Sequence, residues 1–227
     1  MKTETFEWNG YTATVIIPDN PNGKWLWKTE FFYEFDKAER DLLGQGYTRV
    51  YYQISNMYGS NRAVRLMRSF QKELLKRYPL NEKAILIGFS RGGLYAFNYA
   101  LFYPECVEKI YLDAPVLDLT NENAWPHTSA FDSVQFLKEH GICKGCVKTF
   151  PESPVCHLPE FFSHDIPLLL ICGDKDMSVP YEKNAKVLLD YCKTNGISVT
   201  YHVKKNAGHH PHSLEEDTTF ILNFINE

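Results

Sequence analysis

The chain has 227 residues, 44% of them hydrophobic, with 24 Lys and Arg against 28 Asp and Glu and a formal charge of −4. That balance, with no basic stripe, excludes a surface built for nucleic acid or acidic membrane. No segment reaches the ~18 apolar residues that span a bilayer, and the opening MKTETFEWNG lacks an apolar signal core, so the expectation is a soluble cytoplasmic protein.

TFEWNGYTATVIIP alternates in polarity and turns at Asn9-Gly10, a strong hairpin signal. KWLWKTEFF (24–32) reads as a short aromatic strand running into a loop, and 34–45 as a helix ended by Gly44 and Gly46. YTRVYYQIS (47–55) is the next strand. An amphipathic helix follows Tyr58-Gly59, with Val64, Met67, Phe70, Leu74 and Tyr78 on one face and Pro79 closing it. KAILIGF (83–89) is continuously apolar, as a strand buried on both faces should be, and 91–103 is a helix apolar almost all round.

VEKIYLDAPV (107–116) is a further strand, IPLLLICG (166–173) another, 181–195 a helix and SVTYHVKK (198–205) the last strand. The final helix starts after AGHHPHS, with Pro211 suiting its first turn. Strands alternating with helices after a hairpin predict one α/β domain over 1–227, a mostly parallel doubly wound sheet with an antiparallel start. Residues 117–165 are too long for a plain connection and are expected to form a small cap inserted before the seventh strand.

Six cysteines in this length do not make a disulfide scaffold. Cys143 and Cys146 form CKGC, and Cys156 precedes His157. Three Cys and one His match a structural zinc set in type, but the second half lacks a ligand pair. Free thiols are the expectation, with a loop disulfide as the alternative in an oxidising compartment.

Gly88-Phe89-Ser90-Arg91-Gly92 is a G-x-S-x-G pattern between a buried strand and a helix. A serine on such a turn is held in a strained backbone with its hydroxyl exposed at the strand end. GFSRGG lacks the spacing of the glycine-rich phosphate fingerprints. With SRGGLYAFNYA, YLDAPV and GHHPHSL, the chain resembles the alpha/beta-hydrolase superfamily, near the serine esterases and prolyl-oligopeptidase-like enzymes. The resemblance covers nearly the whole length and implies an alpha/beta-hydrolase fold with a small cap.

It also implies a Ser-His-Asp triad in the chain order Ser, acid, His. Ser90 is then the nucleophile. The superfamily pattern G-x-x-D-x-x-V-P places the acid at Asp176, with Asp174 as a turn residue and Asp113 as the alternative acid. A histidine directly after glycine gives His209 as base, with His210 as the alternative. Metal is not expected at the three histidines, because adjacent histidines rarely converge and HHPH lacks i, i+4 spacing. One oxyanion donor is expected from the Arg91 N–H, and the second from the main chain of Glu30 or Thr29, where many superfamily members carry His-Gly. Glu30 is expected to pair with Arg91 or Lys28, or else to lie in a solvated loop. Tyr58 and Trp125 are candidate pocket walls.

The expected activity is a serine carboxylic ester hydrolase acting on a small acyl ester, on a carbohydrate for instance, with a small-molecule substrate and no cofactor, nucleic acid or membrane partner. A small peptidase of the prolyl-oligopeptidase type is the alternative, against which counts the lack of the large gating domain of many such enzymes. A catalytically inactive binding protein on the same fold is the third reading. Oligomeric state is open.

Overall fold

The turn at Asn9-Gly10 takes φ 48° and 81°, the left-handed values a two-residue hairpin loop needs. It joins β1 (Lys2–Trp8) to β2 (Tyr11–Ile17) in an antiparallel pair. The computed structural model describes residues 1–127 and 131–227. Among these residues the hairpin continues into β3 (Trp25–Lys28), β4 (Thr48–Tyr52), β5 (Ala84–Phe89), β6 (Val107–Asp113), β7 (Leu168–Gly173) and β8 (Thr200–Lys204). One sheet results, ordered β1-β2-β4-β3-β5-β6-β7-β8. β2 meets β4 antiparallel, and every pairing from β4 to β8 is parallel. This is the expected doubly wound α/β sheet with an antiparallel start.

Helices cover both faces, which is why the central strands carry no alternation. Every residue of β5 and β7 is buried. On one face α2 (Asn61–Arg77), α3 (Gly92–Phe102) and α6 (Ala185–Asn195) share an apolar cluster that includes Phe70, Tyr99 and Leu188. On the other, α1 (Lys37–Gly44) and α7 (Thr219–Asn226) contribute Leu42 and Ile221 to a second cluster. Ser60 caps α2 by accepting the Ala63 N–H. No helix among the described residues is long and apolar enough to cross a membrane.

β3 stops at Lys28 and runs, as expected, into a loop, which turns at Phe31 with φ 56°. One boundary departs from the sequence reading. The last helix begins at Thr219, so Pro211 lies in a loop and not in a first helical turn. That loop, 210–218, is what carries His212 inward.

Between β6 and β7, among the described residues, lie α4 (Ser133–His140), α5 (Leu158–Phe162) and three 3-10 turns, at Glu122–Ala124, Lys144–Thr149 and Pro154–His157. Residues 128–130 of the expected cap lie outside the described residues. A third apolar cluster packs Trp125, Phe136, Val147 and Phe150 of this stretch against Tyr58, Leu94 and Val179. Leu94 belongs to α3 and Val179 follows β7, so the segment is seated on the two elements that flank the sheet's carboxyl edge.

Candidate active site

Ser90 follows β5 at φ 51°, a left-handed backbone that a non-glycine residue holds only under constraint. The constraints are visible. Its N–H donates to Asp113 O at 2.9 Å, and its carbonyl accepts from Gly93 and Val116 at 3.0 Å each. α3 then leaves so close to the 113–116 segment that a Cβ on Gly93 would stand 2.5 Å from Pro115 Cβ.

Two neighbouring loops meet this serine. Asp176 follows β7, and its Oδ1 accepts the N–H groups of Ser178 and Val179 at 2.9 Å each. Its Oδ2 lies 2.6 Å from His209 Nδ1. A carboxylate accepts only, so Nδ1 carries the proton and Nε2 is left to accept. Nε2 stands 3.1 Å from Ser90 Oγ. All three side chains are buried. The base loop is clasped to the acid loop by Lys175 N–H on Ala207 O (2.8 Å) and Asn206 N–H on Asp174 Oδ1 (2.7 Å). Asp174 therefore organises the turn, as its place in the pattern suggested.

Asp113 makes a second couple instead of serving His209. Fully buried at the end of β6, it accepts His212 Nδ1–H at 2.8 Å, Ser213 N–H at 2.7 Å and the Tyr111 hydroxyl at 3.0 Å. Burial alone pushes this carboxyl up, but His212's hydrogen bond and charge, with Lys204 and the Ser213 N–H, bring it below the usual aspartate value. The His212 ring stacks on Phe89, with centroids 5.2 Å apart, and meets His209 edge-on at 4.6 Å. Sequence reasoning left His212 without a role. The available signal was numerical: an aspartate stands at or just past the end of each of two adjacent strands, and one loop brings more than one histidine to them. His210, beside them, is exposed and stacked on Phe35 at 5.5 Å.

A model of the prolyl oligopeptidase family matches residues 43–227. The chain belongs to the prolyl oligopeptidase family. No curated protein matches it. Among solved structures it is similar to the S-formylglutathione hydrolase of Staphylococcus aureus, at 14% identity and TM-score 0.71, over 99% of this chain and 94% of that one. The S-formylglutathione hydrolase of Agrobacterium tumefaciens gives 14% identity and TM-score 0.68, over 99% and 91%. The acylaminoacyl peptidase of Pyrococcus horikoshii gives 13% identity and TM-score 0.68, over 99% of this chain but 39% of that one. At such identities the likeness is one of fold, and the fold is the alpha/beta hydrolase. For this member of the prolyl oligopeptidase family, the coarse class is thus a serine hydrolase.

Two of the remaining expectations need correction. Thr29 gives its N–H to Ile87 O (3.0 Å) and its hydroxyl to Gly92 O (2.8 Å), completing the sheet and fastening α3, so it has no donor to offer a substrate. Tyr58 is no open pocket wall: it is fully buried, its ring 5.9 Å from Phe136 and its hydroxyl accepting the Asp132 N–H at 3.1 Å. Trp125 gives its indole N–H to Leu119 O at 3.2 Å and lines a cavity of about 250 Å³ with Pro126, His127 and Phe131. The His127 N–H reaches Ser178 O at 2.7 Å, which joins that cavity's rim to the acid loop.

Glu30 is buried beside the turn that carries Ser90, with Ser55 Oγ donating to its Oε2 at 2.9 Å and Arg91 Nη2 at 3.5 Å. Burial holds its carboxyl above the ordinary glutamate value, against the opposing pull of Arg91. Lys28 pairs elsewhere, with Glu39 at 2.7 Å, both fully buried and the contact angled outside hydrogen-bond range. The Glu30 nitrogen lies 3.5 Å from where a Gly92 Cβ would be, placing that main chain against the first turn of α3.

The three histidines do converge, against expectation: their ring centroids are 4.6–4.9 Å apart and their ligand atoms lie within 4.8 Å of one another. His209 has one nitrogen on Asp176 and the other at Ser90, and His212 has one on Asp113. A metal bound there would take a His209 nitrogen from Ser90 or from Asp176, so it and the hydrogen-bonded chain Asp176–His209–Ser90 exclude one another.

Proposed function

We propose that the chain is a serine esterase that cleaves a small acyl ester through Ser90, His209 and Asp176. The observation that carries this is the unbroken chain Asp176 Oδ2–His209–Ser90 Oγ, at 2.6 and 3.1 Å, ending on a serine at φ 51°. Ser90 donates its proton to His209 Nε2 as Oγ attacks the ester carbonyl. Asp176 holds the ring in the tautomer that accepts and offsets the charge it gains. The N–H groups of Arg91 and Glu30 are assigned to the developing oxyanion, one at the start of α3 and the other on the facing main chain. His209 returns the proton to the leaving alcohol, and water then repeats the sequence on the acyl-enzyme.

The ester reading draws support from the two S-formylglutathione hydrolases, which match over more than nine-tenths of both chains. A small peptide substrate is the second reading, favoured by the family match itself. Both use the same triad, so one experiment separates them and tests the triad. Wild type and Ser90→Ala are given a fluorophosphonate probe, p-nitrophenyl acetate, an acetylated monosaccharide and aminoacyl p-nitroanilides. The expected result is probe label on Ser90 and turnover of the acetyl esters, both abolished in Ser90→Ala. Turnover of the anilides alone replaces the ester reading with the peptidase one. Ester turnover surviving in Ser90→Ala overturns the triad, and wild type inert to the probe and every substrate leaves the binding-protein reading.

A further inference from the structure

The CKGC stretch takes no part in the site above, yet its geometry is specific. Cys143 is the residue before the 3-10 turn Lys144–Thr149, and the Cys146 N–H donates to Cys143 O at 2.9 Å. Such a closed turn keeps its end Cα atoms within ~7 Å, in the range a disulfide spans, ~4.4–6.8 Å. The two Sγ atoms lie 2.7 Å apart. Both residues are exposed, whereas Cys106, Cys172 and Cys192 are buried. Val147, from the same turn, and Phe150, the residue after it, are buried in the cluster with Trp125 and Phe136. The dithiol therefore rides on an anchored base with its sulfurs open to solvent.

We propose that Cys143 and Cys146 form a redox-active dithiol that closes reversibly to a disulfide by exchange with a low-molecular-weight disulfide. The Cys143 thiolate attacks one sulfur of that disulfide, forming a mixed disulfide and releasing one small thiolate. Cys146 then loses its proton and attacks Cys143 Sγ, expelling the second small thiolate. Two protein thiols are oxidised, one small disulfide is reduced to two thiols, and the two protons end on those thiols. The order follows from the turn. The hydrogen bond from the Cys146 thiol, with main-chain N–H groups, holds the Cys143 thiol below its ordinary value, and the same bond raises that of Cys146. A zinc site is the competing use of these thiols. His157 instead faces Glu160 Oε2 at 3.2 Å and Pro151 O at 2.6 Å, and among the described residues these cysteines and His157 do not gather at metal-binding distance.

The test equilibrates the intact protein with mixtures of reduced and oxidised glutathione, quenches with acid, alkylates, and maps the labels by mass spectrometry. Cys143 and Cys146 are expected to lose their labels together at one glutathione ratio and recover them in excess reduced glutathione. Cys146→Ser should trap glutathione on Cys143, and Cys143→Ser should trap it on Cys146 several-fold more slowly. Cys156→Ser should leave the transition unchanged. Full alkylation in oxidised glutathione alone overturns the proposal. So does a disulfide that includes Cys156, equal trapping at both positions, or stoichiometric zinc lost on Cys143→Ser.

Discussion

One aspartate ends β6 and another follows β7, and each takes one histidine of the 207–213 loop, so the proposed acid can be told from its neighbour only by which ring it holds. Asp176 holds His209, and Asp113 holds His212. Asp176→Asn should lower kcat on p-nitrophenyl acetate by ~10³–10⁴, because an amide can present its NH₂ to Nδ1 and turn the ring to the wrong tautomer. Asp113→Asn should act mainly on stability. An amide cannot accept from His212, Ser213 and Tyr111 as a carboxylate does, and a lost buried acceptor costs ~1–3 kcal/mol. The pH dependence has a definite sign. A carboxyl held below its unfolded value contributes stability that is present above that value and is lost as pH falls through the folded one. Melting temperatures measured downward from pH 7 should therefore fall below the ordinary aspartate range, at about pH 4, more steeply in wild type than in Asp113→Asn. A parallel pair of curves would remove Asp113 from that account. That Ser90, Asp176 and His209 come together was legible because pattern and chain order mark them. His212 was not, since its partner is set by a loop path with no periodicity.

At the scale of elements, the acid and base loops meet over one glycine. A Cβ on Gly173, the last residue of β7, would stand 2.3 Å from Gly208 O and 2.4 Å from Ala207 O. Both obstacles are main chain, so relief must come from moving the base loop off the acid. Gly173→Ala should cost ~1–3 kcal/mol as an overpacking change and lower kcat by more than it alters KM. Gly208 is the contrast, with nothing within 4 Å of its added Cβ. Gly208→Ala should change stability by no more than ~0.5 kcal/mol and leave kcat near wild type. Paired melting curves and kinetics check both, and equal effects would deny the clasp. The Gly-His pattern marks Gly208, whereas the space is short at Gly173. The boundary of the last helix failed for a similar reason. Pro211 carries a helix-start signal, but the chain spends 210–218 on bringing His212 to Asp113 before α7 begins at Thr219.

Over the whole molecule, alternation of strand and helix was enough to reach the sheet, because two-face burial writes itself as continuous apolar runs such as AILIGF. The segment between β6 and β7 was readable only as an irregular stretch. Its core draws on Tyr58, Leu94, Trp125, Phe136, Phe150 and Val179, which no repeat connects. That scattered cluster makes a prediction of its own. Phe136 is fully buried, its ring 5.0 Å from Trp125, and Val179 in the same cluster donates its N–H to Asp176. Phe136→Ala should cost ~3–5 kcal/mol, the range for an aromatic cavity. Through Val179 it should also slow fluorophosphonate labelling of Ser90 well below the melting temperature. Phe70→Ala is the matched control. That ring is equally buried, stacked on Tyr52 at 4.3 Å in the cluster on α2, and shares no contact cluster with the acid loop. It should cost a similar amount of stability and leave the labelling rate unchanged at low temperature. If the two variants slow labelling alike, the segment between β6 and β7 supports the fold only, and the acid loop does not depend on it.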